Sequence, residues 1–277
     1  MIKKMFSFLR FKIWRMKQKF QRFYRGFMYR QIKFTSTSKL SFGAMFPQSL
    51  SVCMMVQNSE KTLPIALESL CNIYDELIIV DGGSSDSTLD IALQYKARII
   101  YSKWPGNHSQ QRNVYLREVK TDWVFVIDSD EFIDKKLLFF LRLVKQREIP
   151  NTDNFWIPRK WISPFDKKYY IAQEPHFPDI QCRLFKYHKK LSYYGQVHEV
   201  VMGFKNQGKP LTDLSLYHLD LFINSRETRQ KKVSRYSKDR VEDGKACFYL
   251  PDDKNLNLAV WDLDEVVPSV QKLINIL

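Results

Sequence analysis

The sequence predicts an α/β protein with a doubly wound, mostly parallel sheet. Three observations carry that expectation. Short apolar runs rich in β-branched residues alternate with stretches of helical periodicity from Leu50 to Asp130. Glycines and acids gather where those runs end. The third is bulk: 44% hydrophobic content over 277 residues suits one large domain with additions, or two small ones, and excludes disorder throughout. Strands alternating with helices call for right-handed βαβ units, and such sheets bind ligands beyond the carboxyl ends of their strands.

Before the first strand lies a different kind of segment. The net charge of +14 is concentrated there, with 12 Lys or Arg and no acid before Glu60, whereas the remaining 32 basic and 30 acidic residues nearly cancel. Ile2, Phe6, Leu9, Ile13, Met16, Phe20, Phe23 and Phe27 recur at steps of three and four, which puts them on one stripe of a cationic amphipathic helix. A membrane surface is the expected partner of residues 1–33, each basic residue contributing about 1 kcal/mol near anionic lipid. A nucleic-acid arm, an organelle-targeting peptide and a docking helix are the competing readings, but eight large apolar residues have no use in a purely electrostatic grip on phosphates, so no nucleic acid is expected. Residues 35–48, with their Ser, Thr, Gly43 and Pro47, read as a linker.

The body then unfolds in order. Leu50–Val56 is the first strand, stopping at Gln57-Asn58. Leu63, Ala66, Leu67 and Leu70 share one face of a helix expected over 62–73, whose first turn tolerates Pro64. Residues 76–80 form the second strand and lead into Asp81-Gly82-Gly83-Ser84-Ser85-Asp86-Ser87-Thr88. Its glycines let the backbone bend and approach a ligand, Asp86 or a neighbouring serine caps a helix over 87–95, and Asp81 is free to accept hydrogen bonds. A third strand at Arg98–Tyr101 precedes a helix over 109–118 with Arg112 near its start. Residues 123–127 form the fourth strand and deliver Asp128-Ser129-Asp130 to the carboxyl edge. Two acids one residue apart, with Glu131 following, repel unless a cation or backbone N–H groups sit among them. A divalent metal carrying a phosphate-bearing substrate accounts for them economically; a solvated Asx turn is the plain alternative.

Further on, aromatics crowd residues 153–194 (Phe155, Trp156, Trp161, Phe165, Tyr169, Tyr170, Phe177, Tyr193, Tyr194), as sugar-stacking walls or as core. Residues 224–241 read as an exposed basic helix and 266–277 as a helix that closes the domain. The four cysteines have no C-x-x-C spacing, Cys53 and Cys71 fall in apolar patterns of buried thiols, and a reducing compartment follows. No apolar run is long enough to span a bilayer, and the N-terminus lacks a cleavable signal, so a cytoplasmic protein held at the inner membrane face is expected.

The succession SVCMMVQNSEKTLPIALESL, ELIIVDGGSSDSTLDIA, NHSQQRN and DWVFVIDSDEFI closely resembles the nucleotide-sugar domain of family 2 glycosyltransferases, which have the GT-A fold, and most of all the bacterial lipopolysaccharide-core glucosyltransferase type. Each motif alone is weak; four in order and spacing are a strong signal. The likeness continues through the D-x-Q-x-R-L-F stretch from Asp179 to Phe185, Gly195-Gln196-Val197-His198-Glu199 and His218, covering roughly 49–240. It implies an arm and linker over 1–46 and a GT-A domain over 47–277, divided into a nucleotide-sugar half (47–135) and an acceptor half with C-terminal helices (136–277).

The resemblance also implies roles. Asp81 hydrogen-bonds the nucleobase, flanked by Val56, Gln57 and Asn58, while Arg112 and Asn113 sit near the diphosphate. Of the D-x-D, Asp130 ligates Mg²⁺ or Mn²⁺ and Asp128 faces the ribose or the metal's water, with Ser129 small enough to leave the geometry intact. The donor is a nucleoside-diphosphate sugar, most ordinarily a UDP-sugar, and the acceptor a cell-envelope glycolipid or saccharide. Transfer with inversion needs a base for the acceptor hydroxyl. Glu199 is the choice, with His198 as orienter or supplementary metal ligand; Asp179 is the runner-up and Glu131 stands behind it. His218 reads as a core or supporting histidine rather than a ligand. Charge growing on the departing diphosphate explains the metal and Arg112, and hard oxygen ligands favour Mg²⁺ or Mn²⁺ over zinc. A nucleotidyltransferase would show a basic glycine-rich loop after the first strand, and Val56-Gln57-Asn58-Ser59-Glu60 has none. A non-catalytic protein acting through its basic arm, or a sugar-binding protein that has lost catalysis, is the remaining alternative.

Overall fold

The structure, a computed structural model, describes residues 47–146, 152–196, 199–206, 208–238, 246–252 and 255–277. The expected amphipathic arm lies outside them, as does His198.

Four parallel strands form the first half of the sheet: β1 (Leu50–Val56), β2 (Glu76–Asp81), β3 (Arg98–Tyr101) and β4 (Trp123–Val126). Helices α1 (Leu63–Ser69), α2 (Thr88–Gln94) and α3 (His108–Glu118) connect them in turn. A short strand β5 (Glu131–Ile133) and α4 (Lys135–Lys145) follow. The second half adds β6 (Asn154–Trp161), β7 (Tyr169–Ile171), β8 (Asp179–Lys186), β9 (Ser192–Tyr194), β10 (Val200–Met202), β11 (Lys209–Pro210) and β12 (Leu216–His218). Helices α5 (Asp220–Ile223), α6 (Arg226–Lys238) and α7 (Ala246–Tyr249), β13 (Leu258–Val260) and α8 (Pro268–Ile276) complete the described chain. The main sheet runs β3-β2-β1-β4-β8-β6-β12-β5, with β11 beside β6. It is mostly parallel; β8 reverses direction between β4 and β6, and β5 pairs antiparallel with β12.

Alternation along β1 explains why the sheet is covered on both faces. Leu50, Val52, Met54 and Val56 pack with Leu63, Ala66 and Leu67 of α1 and Leu137, Leu141 and Val144 of α4. Cys53 faces the opposite way, joining Ile78, Val80 and Val126 against Tyr115 and Leu116 of α3. Each such fully buried aliphatic side chain contributes about 1.5–3 kcal/mol, so this two-sided burial is the main hold on the strand order. Caps fix two of the helices: Asn107 Oδ1 accepts from Gln110 N at 3.1 Å before α3, and Asp134 Oδ1 accepts from Leu137 N at 2.7 Å before α4.

Two expectations change. The first helix ends sooner than its apolar spacing suggests, because Cys71 and Asn72 take left-handed backbone angles, and Cys71 is consequently exposed rather than buried. Phe155 and Trp161 belong to the core, each 1% exposed, so the aromatic segment is not one continuous wall; Phe165 and Tyr194 are its exposed members.

Candidate active site

The carboxyl ends of the parallel strands carry the site. Asp81 closes β2, and the glycine turn behind it folds back onto its carboxylate: Gly83 N donates at 3.0 Å, Ser84 N at 3.1 Å and Ser84 Oγ at 2.6 Å. Gly83 sits at φ 106°, a conformation open to glycine without strain. A cleft of about 600 Å³ opens here, lined by Gln57, Asp81, Gly82 and Gly83 from the ends of β1 and β2, and by Tyr101, Ser102, Lys103 and Trp104 from the end of β3. The β3 wall is pinned by Ser102 N to Asp81 O (2.9 Å) and Trp104 N to Gly82 O (3.1 Å).

The loops after β1 and β2 are joined to each other. Asn58 Oδ1 accepts from Ser85 N at 2.8 Å, Asn58 N donates to Ser84 Oγ at 3.0 Å, and Ser59 N donates to Thr88 Oγ1 at 2.7 Å. Ser59 Oγ lies 2.9 Å from Ser129 Oγ, which ties this pair of loops to the acidic triplet. Val56 is buried and takes part through its carbonyl, which accepts from Gly82 N at 2.8 Å. Val56, Asn58, Asp81 and Ser129 thus belong to one hydrogen-bonded rim.

Beyond the triplet, three arginines and four carboxylates interlock. Arg112, 5% exposed, donates from Nη2 to Asp128 Oδ1 (2.8 Å), from Nε to Glu199 Oε1 (2.7 Å) and from Nη1 to Tyr115 Oη (3.2 Å). Arg183 Nη2 reaches Asp128 Oδ2 at 2.8 Å and Glu131 Oε1 at 2.7 Å. Arg159 joins Glu131 Oε1 (3.1 Å) to Asp179 Oδ2 (2.6 Å). Burial by itself would raise these carboxyls. Arg183 and Arg112 nevertheless hold Asp128 well below the ordinary value, Arg159 and the Trp161 and Gln181 donors lower Asp179, and Arg112 with His108 lowers Glu199.

This geometry revises several expectations. Arg112 has all three guanidinium nitrogens on acceptors of the protein itself, so its charge serves Asp128 and Glu199 rather than standing free for a diphosphate; the cation lining the cleft is Lys103. Asn113 uses its amide on β9, donating to Tyr193 O (2.9 Å) and accepting from Tyr193 N (2.8 Å), and so holds that strand instead of facing the cleft. Asp128 is no open metal ligand, since a guanidinium occupies each of its oxygens. Among the alternative bases, Glu131 is fully buried with both oxygens bonded, and Asp179 accepts from Arg159, Trp161 and Gln181. Glu199 commits only Oε1 to a side-chain donor among the described residues.

His218 is buried against Trp161, as a core or supporting histidine would be, and it stands beside the acidic triplet. Register sets it: β12 pairs antiparallel with β5, so His218 stands opposite Glu131, and Leu219 N donates to Asp130 O at 2.9 Å. His218 Nε2 thereby lies 3.2 Å from Asp130 Oδ2, and despite burial this partner holds the Asp130 carboxyl at about 2. A carboxylate oxygen and, in its neutral form, an imidazole nitrogen this close can both ligate a divalent cation, the oxygen being the donor that Mg²⁺ and Mn²⁺ prefer. No group of three His, Cys, Asp or Glu is placed to hold a metal ion among the described residues, so the remaining ligands would come from substrate and water, as Mg²⁺ commonly takes them.

Sequence reasoning passed over Tyr101, Lys103, Trp104 and Arg159, and gave Arg183 no role beyond its place in the D-x-Q-x-R-L-F stretch. A signal existed for Arg183, because a charge between Cys182 and Leu184-Phe185 in a strand is buried only with a partner.

A sequence model described as glycosyl transferase family 2 matches residues 51–206. The SPbeta prophage-derived glycosyltransferase SunS of Bacillus subtilis (strain 168) is 26% identical over 170 residues, 60% of this chain and 38% of its own. An uncharacterized glycosyltransferase of Rickettsia felis is 33% identical over 90 residues, 32% of this chain and 31% of its own. The chain therefore spans well under half the length of either relative. Among solved structures, TarS 1-349 of S. aureus is similar over 73% of this chain and 69% of its own, at 18% identity and a TM-score of 0.43.

Proposed function

This chain belongs to glycosyl transferase family 2, and from that premise we propose that it moves a hexose from a UDP-sugar to a cell-envelope glycolipid or saccharide, inverting the anomeric centre. One observation carries the reading. The Asp81 cleft and the Asp130–His218 pair lie at the two ends of a continuous hydrogen-bonded rim running through Ser84, Asn58, Ser59 and Ser129. A carboxylate at the cleft wall suits the ring N–H of uracil, and Tyr101 and Trp104 offer apolar faces beside it.

Asp130 and His218 would hold Mg²⁺ or Mn²⁺, which when bound neutralises charge on the departing diphosphate as a Lewis acid. Lys103 supplies a second positive group at the cleft. Glu199, ionised at neutral pH because Arg112 lowers its pKa, takes the proton of the acceptor hydroxyl. The acceptor oxygen then bonds to the anomeric carbon as the bond to the diphosphate oxygen breaks, and the nucleoside diphosphate leaves with that electron pair. Asp128, clamped between Arg112 and Arg183, presents a fixed edge towards the ribose side.

Among the described residues no helix is long and apolar enough to cross a membrane. We assign membrane contact to the cationic amphipathic stripe of residues 1–33, at the cytoplasmic face.

Calorimetric titration with UDP and GDP, with and without Mn²⁺, tests the donor reading. Mn²⁺-dependent binding of UDP that disappears in Asp130→Asn is the expected result. A folded wild-type chain that binds neither nucleotide would refute it.

A further inference from the structure

Glu131 has 0% exposure, yet both of its carboxyl oxygens are bonded. Its Oε1 accepts from Arg183 Nη2 at 2.7 Å and Arg159 Nη1 at 3.1 Å, while Oε2 accepts the backbone N–H of Asp128 at 2.9 Å. Arg183, 4% exposed, uses the same Nη2 to reach Asp128 Oδ2 at 2.8 Å. These contacts close a ring: Asp128 side chain, Arg183, Glu131, Asp128 backbone. A carboxylate held by one guanidinium can still swing about its own side-chain torsions. Inside this ring its backbone N–H and its side-chain oxygen are fixed by the same two residues, so neither can turn without breaking a charge-assisted bond.

Such a ring is poorly accounted for as a stabiliser. Burying two charges costs several kcal/mol each before their attraction offsets it, and apolar residues of similar volume often serve stability as well or better. What apolar residues cannot do is set the direction of a carboxylate at the mouth of a site. Arg159 extends the frame from Glu131 to Asp179, so the strand that follows the acidic triplet and the strand pair β6–β8 are held in one register.

We propose that Arg183 and Glu131 are positioning residues for the donor site, which fix the direction of Asp128 and, through the backbone they hold, the placement of Asp130 two residues on. The proposal rests on the reading of Asp128 and Asp130 as donor-site acids. Arg183 is 4% exposed and Glu131 0%, so both act through the acids they hold.

The test is calorimetric titration of the full chain with UDP in the presence of Mn²⁺, comparing wild type, Asp130→Asn, Arg183→Gln, Arg183→Lys and Glu131→Gln. Mispositioned acids raise the Kd while the number of binding sites per total chain stays at one. Lost folding lowers that number and leaves the Kd alone. The expected result is a rise in Kd on the order of 10–100-fold for Arg183→Gln and Glu131→Gln, with Arg183→Lys recovering part of it because an ammonium can still donate to both carboxylates. Should Arg183→Gln fail to fold, the isosteric Glu131→Gln decides the matter, since it opens the same ring. Wild-type Kd in folded Glu131→Gln, with binding lost in Asp130→Asn, would overturn the proposal and leave the donor reading standing. Wild type that binds no UDP would overturn both.

Discussion

Arg112→Met removes the most connected cation of the site and keeps most of its apolar stem. Arg112 is 5% exposed and is the guanidinium on Glu199 as well as one of two hydrogen-bonded to Asp128. Removing one partner of a buried pair costs about 3–5 kcal/mol, chiefly because the other charge stays buried without compensation. Here Asp128 keeps Arg183 at 2.8 Å, and the Glu199 side chain retains 14% exposure, so the lower end applies, about 3 kcal/mol. For a chain of this size each kcal/mol moves the thermal midpoint by about 2–4 °C, which gives a drop of about 6–12 °C at pH 7. Circular dichroism during heating, with urea unfolding beside it, measures the change.

The pH dependence supplies a second arm. In the wild type Glu199 titrates below its ordinary value, whereas in Arg112→Met the same buried carboxyl lacks its guanidinium and titrates above it. Protonation then relieves the variant before it harms the wild type, so the deficit should shrink as pH falls from 7 towards about 4. Adding Glu199→Gln to Arg112→Met should restore part of the loss at pH 7, with a coupling of about 1–3 kcal/mol. A midpoint within about 2 °C of wild type at pH 7, or a deficit that widens on acidification, would refute the buried-network account.

Three further outcomes are expected. Because Asp128, Asp179 and Glu199 all titrate below their ordinary values, their stabilisation is fully present above the unfolded carboxyl pKa of about 4 and is lost as pH drops through the depressed folded values; urea midpoints should hold from pH 7 to about 5 and fall steeply below about 4. Midpoints that stay level down to pH 3 would sink that account. Gly203→Ala should destabilise by about 1–3 kcal/mol, since the residue sits at φ 110° and a Cβ there would lie 2.6 Å from Lys190 O; unchanged thermal unfolding would contradict the backbone description. His218→Ala should weaken Mn²⁺ binding in the presence of UDP by tenfold or more while leaving the fold intact, as it removes one of two donors 3.2 Å apart; equal affinity by Mn²⁺ titration would take His218 out of the site.

Much of the first half of the main sheet is legible in the residues alone. Continuous apolar runs bounded by turn residues, helix spacing between them and glycines after β2 are local signals, and each is written within a few residues of the element it specifies. That is why β1, β2 and β3 fall where sequence spacing puts them, the helices between them start where expected, and Asp81 and the acidic triplet could be named at strand ends. The family likeness adds roles to those residues because its motifs are equally local.

What the tertiary structure decided depends on pairings between distant segments. His218 meets Asp130 only because β12 inserts between β6 and β5, a register that nothing near residue 218 announces. Arg112 is turned away from the cleft because Glu199, 87 residues later, and Asp128, 16 later, meet its guanidinium first. Charged side chains are placed by the partners that relieve their desolvation, and those partners come from whichever strands the fold brings side by side. Sequence spacing sets which residues stand at the ends of strands; long-range pairing sets which of them are spent on each other and which remain for a ligand.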